Sequence, residues 1–218
     1  MCNKTRKKIN KTDADCILFI TYSRSQNDTI QDIINYKNNS SILYYLITTT
    51  QEFPSIIPLD NICFLKLQKN IQFIIKEFCL KILKSQINNF IITKVLKHEK
   101  IEVVTPHLMH IPSNYVINNF FIKNSNIIVS NYPDGIAQLY NSRTTWNLRY
   151  YSGLSSWRLL TRYFIGSLIG LKYHISFETI FNSYKRLDRI YTYLKDLLPY
   201  SNNADVIEIT PNKRKING

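Results

Sequence analysis

Six short apolar runs are the feature that most constrains how this chain can fold. The first, residues 16–22, is continuous and rich in β-branched and aromatic side chains, a pattern typical of a strand buried on both faces. Similar runs recur at residues 41–48, 61–67, 100–105, 126–130 and 205–210. Such short, fully apolar strands are stable only inside a sheet that is covered on both sides, which excludes an exposed antiparallel meander.

Helical patterns alternate with these runs. Residues 25–37 carry isoleucines on one helical face, residues 68–90 repeat apolar side chains at three- and four-residue steps, and residues 113–122 form a shorter pattern after Pro112. Strands that alternate with helices indicate an open α/β sheet. We therefore predict a Rossmann-like, mostly parallel sheet flanked by helices.

The C-terminal third of the chain has a different pattern of apolar residues. Residues 154–171 and 177–198 both show helical periodicity, and the second is the best amphipathic pattern in the chain, so we predict a helical C-terminal extension. The predicted organisation is a basic tail over residues 1–12, one α/β domain over residues 13–210 and a second basic tail over residues 211–218.

Composition and charge exclude several protein classes. With 44% hydrophobic residues the chain can bury a core, and with five glycines and four scattered cysteines it fits neither a collagen-like repeat nor a disulfide scaffold. The net charge of +13 lies partly in the tails, so charge alone is a weak indication of nucleic acid. We expect a cytoplasmic protein, because no signal peptide is recognisable and the apolar runs are shorter than the ~20 residues of a spanning helix.

One short segment carries the clearest chemical signal. The apolar run 126–130 is followed by Tyr132-Pro-Asp-Gly-Ile, so that Asp134 and Gly135 come just after the carboxyl end of a predicted strand, where open α/β sheets bind ligands. Asp134 is also the only carboxylate between Val103 and Phe177, a stretch with six cations. A base or a hydroxyl-orienting group fits this setting, and so does an ordinary Pro-Asp-Gly turn.

The segment resembles a motif of bacterial sialyltransferases. Tyr132-Pro-Asp-Gly-Ile, followed by Tyr140-Asn141, is similar to the acidic-acidic-glycine motif of the polysialyltransferase and lipooligosaccharide sialyltransferase families. The resemblance implies the first, acceptor-side half of a two-domain GT-B fold. It also implies inverting, metal-independent transfer of sialic acid from CMP-sialic acid, the donor substrate, to a glycan hydroxyl, with Asp134 as general base and no cofactor.

The chain departs from that motif in two ways. Pro133 stands where the families have a first acidic residue, and none of the four histidines precedes a proline, although the families carry a His-Pro pair in their second domain. We therefore expect the chain to represent one half of such an enzyme, incomplete or inactive without a second domain or a partner chain.

Several residues are candidates for binding the acceptor. His107 and His110 follow the run 100–105 and would neighbour Asp134 in a parallel sheet, although ordinary partly buried histidines also fit. Arg143, Trp146 and Arg149 belong to an aromatic and arginine-rich stretch suited to an anionic glycan. No set of metal ligands is apparent.

Three alternatives to the acceptor surface remain open for this stretch. Its aromatic side chains could pack into a core with the arginines solvated, or stack on the bases of a nucleic acid. Peripheral contact with an anionic inner-membrane surface is the third. The alternative function is accordingly a basic α/β module that binds nucleic acid or an anionic membrane, with nucleic acid the less favoured partner.

Overall fold

The sheet is the centre of the molecule. The computed structural model describes residues 14–21, 24–65, 84–106, 111–124, 126–132, 186–193 and 204–210. Their seven strands are β1 Cys16–Ile20, β2 Leu43–Thr48, β3 Ile62–Phe64, β4 Ile101–Thr105, β5 Ile127–Asn131, β6 Leu187–Thr192 and β7 Asp205–Glu208. They form one sheet in the order β3-β2-β1-β4-β5-β6-β7, and all six pairings are parallel. The predicted Rossmann-like α/β sheet is therefore confirmed.

Three helices connect the first five strands in the described part of the chain. Helix α1, Arg24–Lys37, follows β1. Helix α2 is described over residues 84–90 and ends in the π-helical turn Ile91–Val95, and helix α3, Ile111–Val116, ends in the π-helical turn Ile117–Phe121. A 3₁₀ turn, Leu59–Asn61, precedes β3. The helical patterns predicted over 25–37, the end of 68–90 and 113–122 thus correspond to α1, α2 and α3.

The two faces of the sheet are covered by different helices. Ile17 and Phe19 of β1 pack in one cluster with the apolar stripe of α1, whereas Leu18 and Ile20 pack in another with α2 and α3. Because successive side chains of a strand point to opposite faces, a run that is apolar at every position needs exactly this double cover. The continuous runs seen in the sequence are explained by that arrangement.

The strand order reverses direction once in the described sheet. The chain starts at the centre with β1, moves to β2 and β3 on one side, and returns to form β4 on the other side of β1. The carboxyl ends of β1 and β4 therefore flank a topological switch point, the place where open α/β sheets bind ligands.

The prediction of a helix over 177–198 is wrong for residues 187–192, which form β6. A bulge explains the misleading pattern, because Val129 and Ser130 of β5 are paired with Leu187 and Arg189, leaving Asp188 as the extra residue. Leu187 and Ile190 consequently lie in the same apolar cluster although they are three residues apart. Three-residue spacing of this kind imitates a helix.

Other parts of the C-terminal prediction lie outside the described residues. These are the helix over 154–171, the remainder of the helix over 177–198 and both basic tails. Residues 205–208 form strand β7, so the last apolar run completes the sheet. No helix within the described ranges is both long and apolar enough to cross a membrane.

Candidate functional site

Buried polar side chains lie at the carboxyl ends of the five central strands. These residues are Thr48 of β2, Thr21 just beyond β1, Thr105 of β4, Asn131 of β5 and Thr192 of β6, each at most 1% exposed. They lie at the carboxyl edge of the sheet, on both sides of the switch point between β1 and β4. We call this set the carboxyl-edge row. Threonine suits these positions because it is β-branched, like the strand residues before it, and adds a hydroxyl group.

On the β1–β2 side the row continues into a hydrogen-bond network. The hydroxyl of Thr21 donates to Thr48 Oγ1 at 2.9 Å, and Thr48 and Thr50 share a bond of 3.0 Å between their hydroxyls. Since Thr50 donates its single hydroxyl proton to the carbonyl oxygen of Glu52, Thr48 is the donor to Thr50. The side-chain amide of Asn27 in α1 also donates to Thr50 and to the Glu52 carbonyl. The loop after β2 is therefore fixed to the first turns of α1.

On the β4–β5 side, Asn131 joins two segments. Its amide nitrogen donates to the carbonyl oxygens of Thr105 at 3.0 Å and Pro106 at 2.9 Å, while the hydroxyl of Thr105 lies 2.6 Å from that of Ser113 in α3. The backbone N–H of Tyr132 also donates to Thr105. The residues that precede His107 and those that precede Asp134 are thus held side by side.

The side-chain oxygen of Asn131 differs from its nitrogen in hydrogen bonding. Asn131 Oδ1 is buried and accepts no hydrogen bond from the residues that the structure describes. The two carbonyl acceptors fix the orientation of the amide group, because they can accept only from nitrogen. A buried acceptor without a donor costs about 1–3 kcal/mol, so this oxygen is a candidate to accept from a group outside the described residues.

A second polar cluster surrounds Glu102, the second residue of β4. Glu102 of β4 is fully buried and accepts four hydrogen bonds, from Ser130 at 2.6 Å and Tyr191 at 2.8 Å on Oε1, and from Lys37 at 2.8 Å and Arg189 at 3.3 Å on Oε2. We call these five residues the Glu102 cluster. All four acceptor positions of the carboxylate are used, so it is not available as a base. Its role is to connect α1, β4, β5 and β6.

The pKa values within this cluster follow from burial and charge. Burial by itself would raise the pKa of Glu102, but the charges of Lys37 and Arg189 and the hydrogen bonds from Lys37 and Ser130 hold that pKa below its ordinary value. Burial, followed by the charge and the hydrogen bond of Glu102, raises the pKa of Tyr191 well above its usual range. The carboxylate is therefore ionised and the phenol protonated at neutral pH.

The bulge in β6 directs Arg189 toward Glu102. Without the extra residue Asp188, Arg189 would face the opposite side of the sheet, since neighbouring strand residues alternate between faces. The carboxylate of Asp188 accepts a hydrogen bond from the backbone N–H of Val129 at 3.0 Å, which satisfies a donor at the irregular pairing. The bulge is thus stabilised by its own side chain.

The candidate residues from the sequence lie outside the described residues. These are Asp134, Gly135, His107, His110, Arg143, Trp146 and Arg149. The structure describes Pro106, immediately before His107, and Tyr132, two residues before Asp134. The described part of the chain contains no group of three or more His, Cys, Asp or Glu residues that could hold a metal ion.

Neither the carboxyl-edge row nor the Glu102 cluster was predicted from the sequence. A signal for part of the row is present, because the apolar runs 41–48 and 100–105 end in Thr48 and Thr105, and Thr21 is the next-to-last residue of the run 16–22. No comparable signal marks the cluster, since Lys37, Glu102 and Arg189 are far apart in the chain and charged residues are normally exposed.

Comparisons with known proteins give little further information. No protein-family model and no curated protein matches the chain. Among solved structures, an esterase of Pyrococcus furiosus is similar at 10% identity and a TM-score of 0.27, with 94% of this chain and 76% of the esterase covered. A likeness at that level supports no inference about activity.

Proposed function

We propose that the protein is a sialyltransferase-like glycosyltransferase that uses the carboxyl edge of the sheet as its acceptor side. The observation that supports this most directly is the position of Asn131, the last residue of β5, at that edge and beside the switch point. Asp134 follows three residues later, and three peptide units reach at most about 11 Å. The carboxylate that the sequence motif points to is therefore tethered to the ligand-binding edge.

The polar groups of the edge suit a glycan acceptor. Sugar hydroxyls donate and accept hydrogen bonds, and Asn131 Oδ1 is a buried acceptor that lacks a donor from the described residues. The hydroxyls of the carboxyl-edge row add further groups of both kinds on the two sides of the switch point. The proposed acceptor is an anionic cell-surface glycan, for which Arg143 and Arg149 would supply the positive charge.

The proposed reaction requires one base. Asp134 would remove the proton from the acceptor hydroxyl as the oxygen attacks the anomeric carbon of the sialic acid, and CMP would leave with the electron pair of the broken bond. Attack on the side opposite the leaving group inverts the configuration. Gly135, which has no side chain, would leave room for the acceptor beside Asp134.

The test is transfer of sialic acid from CMP-sialic acid to a lipooligosaccharide or oligosialic acid acceptor, followed by mass spectrometry. We expect transfer by the wild-type chain, supplied with a nucleotide-binding second domain if necessary, and a loss of about 10²–10⁴ in kcat for Asp134→Asn. Asp60→Asn removes an exposed carboxylate outside the motif and serves as the matched control.

Two results would contradict the proposal. One is the absence of transfer both by the chain alone and by the chain supplied with a second domain. The other is a rate for Asp134→Asn equal to that of the Asp60→Asn control. Salt-sensitive binding of the chain to nucleic acid or anionic vesicles, in the absence of transfer, would favour the alternative module instead.

A further inference from the structure

A second cleft lies at the opposite end of the sheet from the carboxyl-edge row. It has a volume of about 410 Å³ and is bounded by the end of α1, the turn between α1 and β2, the start of β2 and the segment before β3. Volumes of this order are typical of small-molecule sites. None of the residues so far discussed as candidates for the transferase reaction contributes to it. We call it the α1–β2 cleft.

The polar lining of the cleft consists of amides and hydroxyls. The residues are Asn35, Asn38, Asn39, Ser40, Tyr44 and Asn61. Internal hydrogen bonds orient several of these side chains. Asn39 Oδ1 accepts from the backbone and the hydroxyl of Ser41, and Asn35 Oδ1 accepts from Gln31, so both amides direct their nitrogen away from these partners. Asn61 donates to the carbonyl of Tyr44, which leaves Asn61 Oδ1 as an acceptor.

The backbone at the end of α1 is held in a fixed conformation. Asn38 has a φ of 40°, in the left-handed region that asparagine tolerates better than most residues, and its N–H donates to the carbonyl oxygen of Ile34 at 3.0 Å. The side chains of Asn38 and its neighbours therefore project from a defined helix terminus. Preorganised donors and acceptors lose less conformational entropy on binding.

The cleft is neutral although the chain carries a net charge of +13. None of the described residues that line it is a lysine, arginine, aspartate or glutamate. Lys37 is close in sequence, but its ammonium group is buried against Glu102. The C-terminal end of α1, which borders the cleft, carries the negative end of the helix dipole. Within the described part of the chain, an anionic ligand would meet no cation in the lining, and it would be repelled by the dipole.

Apolar side chains complete the surface. Leu43 and Ile56 are about half exposed, at 48% and 49%, and Ile34 and Ile42 lie beneath them. A ligand for this cleft needs an apolar face together with groups that both donate and accept hydrogen bonds, and it must be uncharged. A hexopyranose has these properties, because its C–H groups form an apolar face and its hydroxyls surround the ring. We propose that the α1–β2 cleft binds a neutral hexopyranoside.

The test is a titration of ¹⁵N-labelled protein with methyl β-D-glucopyranoside and with methyl β-D-galactopyranoside. NMR spectra record the change in amide chemical shifts at each sugar concentration. We expect saturable shifts for Asn35, Asn38, Asn39 and Asn61 with at least one of the sugars, and a dissociation constant in the millimolar range, about 1–10 mM. The double variant Asn35→Ala/Asn38→Gly should weaken binding by about tenfold, since each lost hydrogen bond contributes modestly.

The controls separate binding from folding. Glycine accepts the φ of position 38 and alanine favours the helix at position 35, so the double variant should keep the wild-type unfolding transition. Asn89→Ala, on an exposed position of α2, is the matched control and should bind like the wild type. Tighter binding of N-acetylneuraminate than of either glycoside at the same residues would overturn the proposal. So would the absence of saturation up to about 100 mM sugar. Neither outcome depends on transferase activity.

Discussion

The ammonium nitrogen of Lys37 lies 2.8 Å from Oε2 of Glu102, and this contact joins the last residue of α1 to the middle of the sheet. The two side chains are 1% and 0% exposed. Arg189 reaches the same oxygen atom from β6. Lys37 is 65 residues and Arg189 is 87 residues from Glu102 in the chain, so two strands and one helix from distant segments meet at one carboxylate. The Glu102 cluster is consequently a place where single substitutions have large effects.

We expect Glu102→Gln to lower the free energy of unfolding by about 3–5 kcal/mol, because it removes the charge that Lys37 and Arg189 contact inside the protein. Lys37→Met should cost less, since Arg189, Ser130 and Tyr191 still donate to the carboxylate. Urea unfolding followed by circular dichroism measures both values. Equal stability of Glu102→Gln and the wild type would show that the cluster does not hold the fold together.

The pH dependence of stability provides an independent check on Glu102. Its pKa is lower in the folded state than in the unfolded chain, so the stabilisation is complete above the unfolded value of about 4.3 and is lost as the pH falls through the folded value. Unfolding curves between neutral pH and acid should therefore show a steeper loss of stability for the wild type than for Glu102→Gln. The matched variant Asp60→Asn, which removes an exposed carboxylate, should keep the wild-type slope.

The bulge of β6 can be tested through Asp188. Asp188→Ala removes the acceptor of the Val129 N–H and should lower the free energy of unfolding by about 1–3 kcal/mol, the cost of an unsatisfied buried donor. Asp188→Asn retains a side-chain oxygen at the same position and should recover much of that loss. If the alanine variant is as stable as the wild type, the carboxylate does not stabilise the bulge.

The two cysteines of the sheet should be chemically protected. Burial, assisted by the charge of Asp15, raises the pKa of Cys16 to about 12, and burial raises the pKa of Cys63 to about 11. In a Cys2→Ser/Cys79→Ser variant, the reaction of these thiols with Ellman's reagent at mildly alkaline pH should be slower in the folded protein than in denaturant by at least about a hundredfold. Rapid labelling of the folded variant would contradict their burial.

Much of the fold could be predicted from the order of residues. Each strand of the described sheet that was predicted begins and ends within a few residues of its apolar run, because most positions of a strand covered on both faces are apolar. The motif around Asp134 could be found as well, since its residues are adjacent in the chain.

Other features depend on contacts between distant segments. Strand β6 could not be predicted. Its bulge at Asp188 places Leu187 and Ile190 in the same apolar cluster, and this three-residue spacing is typical of a helix. The partners of Glu102 come from positions 37, 130, 189 and 191, and no local pattern relates them. The side-chain oxygen of Asn131 can be identified as an acceptor without a described donor only in the folded structure. There the amide nitrogen donates to the carbonyl oxygens of Thr105 and Pro106.

The sequence by itself therefore determined the class of fold and the segment that carries a chemical motif. Apolar burial is a property of each short run, and it can be recognised without knowing the neighbours. The tertiary structure alone decided which charges are buried together, which polar groups line the carboxyl edge and where the neutral α1–β2 cleft lies. Hydrogen bonds and ion pairs act over a few ångströms, so their partners are known only after the chain has brought them together.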